Sequence, residues 1–331
     1  MGSSLEFNIL LEPTTAIPYI CSRLFKGCVN RFFDSAIHSI TRAIKLDTKL
    51  YIPFFYISEC AGHLLHARKY CGLELNENEL IHSSNAFVSN YYALKKIGIK
   101  VPDNLLDYLA VYSSAIRTEK SNIKNWIREL MTDLQSILNQ SNIEFIKVPF
   151  YDQEKCKIFE DEYKSHLDNL KIEKPLHLVN HDIWALQFTN DLMTIDGEHW
   201  IILTYDRSLI AFGKSDLYKG WITNPIKFID ITESKKSLSE NKFISLLHTV
   251  ATYSEQTLSI GARIMDRIIT YASKEMQNWE FKEDIEKFKK ELISGIKMDA
   301  DFISEVDKKT DEFLKTKGIE MVINEEEAID E

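Results

Sequence analysis

Four acidic residues stand where apolar runs end or helical patterns begin: Glu12, Glu59, Asp182 and Asp206. Glu12 closes the apolar run Phe7–Leu11, and Asp206 follows the wholly apolar Trp200–Leu203, the pattern of a strand buried on both faces. Asp182 is read just inside the start of a helix whose apolar positions are Ile183, Trp184, Leu186, Phe188 and Leu192. A carboxylate there is favoured by free backbone N–H groups and the positive end of the helix dipole. Glu59 lies near the start of a helical stretch, Phe54 to Tyr70, entered from the short strand Leu50–Pro53. The carboxyl edge of an open parallel sheet is where ligands bind. Carboxylates delivered to that edge from different elements could share a hard divalent cation such as Mg²⁺ or Mn²⁺, which prefers oxygen ligands.

The elements that must deliver these acids alternate between strand and helix. Pro13-Thr14-Thr15 breaks the first strand and supplies hydroxyls for capping the helix that follows, which is expected from Ala16 to about Leu46 with Gly27 as a break. Short helices are expected over Leu73–Ile99, and further helical material from Val101 to about Leu138. A strand is expected from Asn142 to Val148 and a charged helix from Asp152 to Leu170. Trp221 to Ile231 reads as a last strand at the sheet edge, where Pro225 is tolerable. Such alternation indicates an α/β domain with a parallel sheet and flanking helices. From about Glu233 the pattern becomes helical. A start at Ser237–Glu240 leads into the stripe Phe243, Leu246, Leu247, Val250 and Tyr253, which continues past Ile260, Ile264 and Ile268. A charged helix follows over Phe281–Ile293, and the end is acidic.

Composition narrows the classes. The chain has 331 residues with 44% hydrophobic content, enough for a real core. No apolar run approaches the length needed to cross a bilayer, so no membrane association is expected. MGSSLEFNILLE lacks the basic and long apolar regions of a secretory leader. Five scattered cysteines, none at zinc-ligand spacing, read as reduced thiols in a cytoplasmic protein. A net charge of −10 argues against a broad nucleic-acid-binding face but leaves room for phosphate held by a metal and a local basic patch.

Four segments together resemble the PIN-domain nucleases, most closely the single-domain VapC-type toxins. ILLEPTTAIPYI is similar to the family's opening strand, acid and hydroxyl turn, and LYIPFFYISECAGHLL to the strand and helix bearing the second acid. NHDIWALQFTND is similar to the third-acid helix, and HWIILTYDRSL to the strand and Thr-x-Asp that close the site. They occur in the family's order over residues 1–231. The family's first acid is normally an aspartate, whereas Glu12 stands here, and about 73–140 reads as a helical insertion. Residues 232–331 form a helical C-terminal extension with an acidic tail.

The resemblance implies catalytic acids at Glu12, Glu59, Asp182 and Asp206, with Glu12, Asp182 and Asp206 as metal ligands and Thr14 and Thr204 as supporting hydroxyls. It implies Mg²⁺- or Mn²⁺-dependent hydrolysis of phosphodiesters, with RNA favoured over DNA, in a toxin or anti-phage effector. The metal would lower the pKa of a bound water and polarise the phosphodiester. His181 and Arg207, each beside an acid, are candidates for touching substrate, against the ordinary readings of a loop histidine and a surface arginine. The insertion and C-terminal helices offer surfaces for a regulatory protein or a second copy. From other classes, the alternatives are a degenerate PIN scaffold that binds partners without cutting and a phosphatase acting on small esters. The simple readings are Glu12 as a helix cap, Glu59 as a solvated helix residue, Asp206 as a turn residue and Asp182 as an N-cap, the last being compatible with metal binding.

Overall fold

A computed structural model of the chain describes residues 7–27, 31–147, 153–195, 199–215, 217–232, 260–295 and 302–321. In chain order its elements are β1 (Phe7–Leu11), α1 (Pro13–Leu24), α2 (Arg31–Lys45), β2 (Leu50–Pro53), α3 (Phe54–Ala67), α4 (Glu77–Leu80), α5 (Ala86–Lys96), α6 (Leu105–Leu109), α7 (Ile123–Asn139) and β3 (Ile143–Ile146). There follow α8 (Gln153–Leu170), α9 (Leu176–Ile195), β4 (His199–Leu203), α10 (Arg207–Phe212), β5 (Ile222–Thr223) and α11 (Pro225–Thr232). Helix α12 covers 260–272, ahead of α13 (Trp279–Gly295) and α14 (Phe302–Thr316). The expected helix start at 237–240, the stripe at 243–253 and the acidic tail lie outside the described residues. No helix among the described residues is long and apolar enough to cross a membrane.

The described residues fall into two compact units. One comprises the chain up to Gly62 with Lys120 to Thr232, the other His63–Glu119 with 260–295 and 302–321. Residues 73–119 of the expected insertion therefore belong to the second unit, and α7 to the first.

The first unit is an α/β layer structure. Among the described residues it has five strands, all parallel, in the order β3-β2-β1-β4-β5. β1 lies at the centre, and its register with β4 runs from Phe7 opposite His199 to Leu11 opposite Leu203. Ile9, Leu10 and Leu11 are fully buried because helices cover both faces of a parallel sheet, which is why they form an unbroken apolar run. The chain builds β2 and β3 on one side of β1, then crosses to build β4 and β5 on the other. The carboxyl ends of β1 and β4 thus flank the switch in strand order, where open sheets form a crevice.

Two expectations about elements are corrected. The strand expected over Trp221–Ile231 exists only as Ile222–Thr223, because Asn224-Pro225 starts a helix. Asn224 Oδ1 accepts from the N–H of Lys227 at 2.8 Å, and proline at a first helical position gives up only an N–H that has no intrahelical partner. Asp182 is also not at a helix start. Helix α9 begins at Leu176, directly after Pro175, which puts Asp182 two turns inside it. Gly27 does mark the break between α1 and α2, with φ of 126°, a conformation costly for any residue with a Cβ.

The second unit is helical among its described residues. Arg263 and Arg267 on α12 each make a two-bond fork with Asp307 and Asp311 on α14. Buried Asp266, also on α12, accepts from Tyr70 Oη and Ser83 Oγ, both at 2.7 Å, and from Ser84 N at 2.5 Å. Phe313 stacks on Phe288 with centroids 4.5 Å apart, joining α14 to α13.

Candidate functional site

The four sequence-identified acids all belong to the first unit: Glu12 and Asp206 follow the carboxyl ends of β1 and β4, while Glu59 and Asp182 stand on α3 and α9. Glu12 leaves β1 in extended conformation and caps α1, its carboxylate accepting from Thr14 N at 3.0 Å. The same oxygen accepts from Thr14 Oγ1 and, at 2.8 Å, from Thr204 Oγ1 at the end of β4. Thr204 Oγ1 in turn accepts from Asp206 N at 2.7 Å, and Thr14 Oγ1 from Tyr205 N at 2.8 Å. Thr15 Oγ1 closes the junction by donating to Leu203 O at 2.9 Å and Glu12 O at 2.8 Å. The two expected supporting threonines thus tie the ends of β1 and β4 together around Glu12 and fix the chain that carries Asp206.

Asp206 caps α10, accepting from Leu209 N at 2.9 Å and from Ser208 Oγ. Asp182 accepts from Tyr163 Oη at 2.7 Å, and that hydroxyl also meets Ser208 Oγ at 2.7 Å. Glu59, on the second turn of α3, faces His181 Nδ1 at 3.2 Å. His181 is buried and stacked on Phe55 rather than presented from a loop, while Arg207 is exposed as the first residue of α10.

Electrostatics mark these acids as one cluster. Burial pushes the Glu12 carboxyl up from 4.5 to about 8, helped by the negative charges of Glu59 and Asp206 and opposed by the two threonine hydrogen bonds. Burial also raises Glu59 to about 7, with Lys174 opposing and Asp206 assisting. Asp182 rises to about 6 from burial, against the pull of Lys174. Burial acts upward on Asp206 too, but Lys174 and the hydrogen bonds of Ser208 and Leu209 outweigh it, and its carboxyl sits below the usual range.

Three further residues complete the site. Lys174, in the loop between α8 and α9, bridges Asp182 Oδ2 at 2.5 Å and Asp206 Oδ2 at 2.9 Å. Tyr163 anchors Asp182 and Ser208 from α8. Tyr56 is sealed in the interior, its hydroxyl has no hydrogen-bond partner among the described residues, and it lies within electrostatic reach of Asp182, Glu12 and Glu59. Tyr56 carries a sequence signal, since it precedes Glu59 by three residues and shares its helix face. Lys174 carries none, because its contacts arise from how α8 and α9 pack.

The donor types are those a hard divalent ion takes: Glu12 and Asp182 are buried carboxylates, Glu59 and Asp206 are part-buried ones, and hydroxyls stand behind them, including a buried Tyr56 hydroxyl with no hydrogen-bond partner among the described residues. The observed arrangement has the Lys174 ammonium on two of those acids. No three Asp, Glu, His or Cys side chains among the described residues are gathered closely enough to hold a metal ion. No protein-family model, curated protein or solved structure matches the chain.

Proposed function

We propose that the first unit is a PIN-like, metal-dependent phosphodiester hydrolase acting on RNA in preference to DNA. The observation that carries the reading is the placement of Glu12 and Asp206 past the carboxyl ends of β1 and β4, at the switch point of a parallel sheet, with Asp182 joined to Asp206 through Lys174. Glu12, Asp182 and Asp206 would hold Mg²⁺ or Mn²⁺, and that ion would supply an activated water and a polarised phosphodiester. Thr14 and Thr204 orient Glu12 by donating to one of its oxygens. Glu59, whose carboxyl titrates at about 7, is suited to take a proton from the attacking water near neutrality. The preference for RNA and a role as a toxin or anti-phage effector rest on the family resemblance alone.

The second reading is a scaffold that no longer cuts. It is favoured by one specific observation: Lys174 neutralises two of the acids that a metal would need. Cleavage of labelled single-stranded RNA and DNA with Mg²⁺ or Mn²⁺ separates the two. Wild type should cut RNA only with metal, and Asp206→Asn, which keeps an oxygen to cap α10, should lose on the order of 100-fold or more in rate. Equal cutting by both proteins, or none by either together with no metal binding in calorimetry, would overturn the hydrolase reading.

A further inference from the structure

Lys174 is positioned by its chain neighbours. Lys171 turns the backbone after α8 with φ of 53°, and Pro175 leads into α9. The lysine side chain is 13% exposed, its ammonium contacts one oxygen of Asp182 and one of Asp206, and Asp206 itself retains 23% exposure. A compact ammonium and a hard divalent ion select the same ligands, and a long flexible stem lets the ammonium leave without backbone change. The Tyr56 hydroxyl, buried beside the same acids, is a polar group that this arrangement leaves without a partner among the described residues.

We infer that Lys174 competes with the divalent metal ion for Asp182 and Asp206: its ammonium holds these acids in the metal-free chain and moves to solvent when the ion binds. The inference rests on the reading of Asp182 and Asp206 as metal ligands. It gives this chain a built-in brake on its metal site, set by one residue outside the ligand set.

The test is Mn²⁺ titration by calorimetry of the full-length wild type and Lys174→Met, with amine labelling of the wild type by acetic anhydride read at Lys174 by peptide mass spectrometry. Removal of the competing charge should tighten Mn²⁺ binding by roughly tenfold or more. Saturating Mn²⁺ should raise Lys174 acetylation in the wild type relative to EDTA. The labelling arm uses wild type alone, so it decides the matter even if Lys174→Met folds poorly. Mn²⁺ binding by the wild type with no gain in the variant, or with no rise in acetylation, overturns the competition and leaves the hydrolase reading standing. Absence of Mn²⁺ binding by both proteins at millimolar concentration overturns both.

Discussion

Glu12→Gln should abolish the part of the pH dependence of stability that Glu12 contributes at the end of the central strand. The Glu12 carboxyl titrates at about 8 in the folded chain against 4.5 ordinarily, so the folded state holds its proton more tightly than the unfolded state does. The resulting stabilisation is fully present below about pH 4.5 and declines as pH rises, until it is lost at about pH 8. One proton over that interval, at about 1.4 kcal/mol per pH unit, amounts to a loss on the order of 5 kcal/mol. Glutamine cannot ionise and keeps an oxygen for Thr204 and Thr14, but its amide group meets the site with one acceptor fewer, a cost of roughly 1 kcal/mol. The two curves should therefore cross. In urea unfolding with EDTA, the variant should be slightly less stable than wild type at pH 5 and more stable by several kcal/mol at pH 8.5. Because Glu59 and Asp206 feel the Glu12 charge, the titration belongs to the cluster and the change in slope should spread over several pH units. Parallel curves from pH 5 to 8.5 would refute the buried-cluster argument, since they would mean that Glu12 ionises as readily folded as unfolded.

Thr204→Val keeps the buried shape but removes the donor to Glu12 and the acceptor for Asp206 N, and should cost about 1–3 kcal/mol in the same assay. Since that hydroxyl holds Glu12 down, the variant's pH-dependent loss should also extend to higher pH and grow. In the second unit, the part-buried Arg267–Asp311 pair should show a coupling of about 1–2 kcal/mol in a double-mutant cycle of Arg267→Ala and Asp311→Ala, read by thermal unfolding. A coupling near zero would make that fork incidental to the α12–α14 contact.

What the sequence revealed about this fold depended on how completely each element is buried. β1 and β4 were legible because parallel strands under two helical layers must be apolar at successive positions, as Ile9–Leu11 and Trp200–Leu203 are. The same logic fails over Trp221–Ile231, where Ile226 and Ile231 are exposed and Pro225 and Phe228 are the buried residues of a helix, because Asn224-Pro225 is a cap and first helical residue and not an edge-strand proline. Asp182 looked like a helix start because the apolar rhythm is densest after it, yet Pro175 sets the true beginning. Strand order, and with it the meeting of Glu12 and Asp206, is a matter of non-local pairing that no local pattern encodes. Lys174 was invisible for the same reason: nothing in KIEKP distinguishes a lysine facing water from one between two aspartates.

The charge balance explains why such a lysine belongs in this cluster. At pH 7 Asp182 and Asp206 are largely ionised, Glu59 is near half ionised and Glu12 mostly holds its proton. Against these stands one ammonium, kept charged by the two aspartates it touches. The site is therefore left with between one and two net negative charges in a region that burial makes hostile to any. Withdrawal of Lys174 adds one more, and a doubly charged cation then offsets most of the total while allowing Glu12 to release its proton. Lys174 and a divalent ion are thus alternative solutions to the same repulsion, one supplied by the fold and one by solution. It follows that the two quantities altered by Lys174→Met must move in opposite directions: stability in EDTA falls, and the rise in melting temperature on adding Mn²⁺ grows. A lysine that merely braced α9 would lower the first and leave the second unchanged.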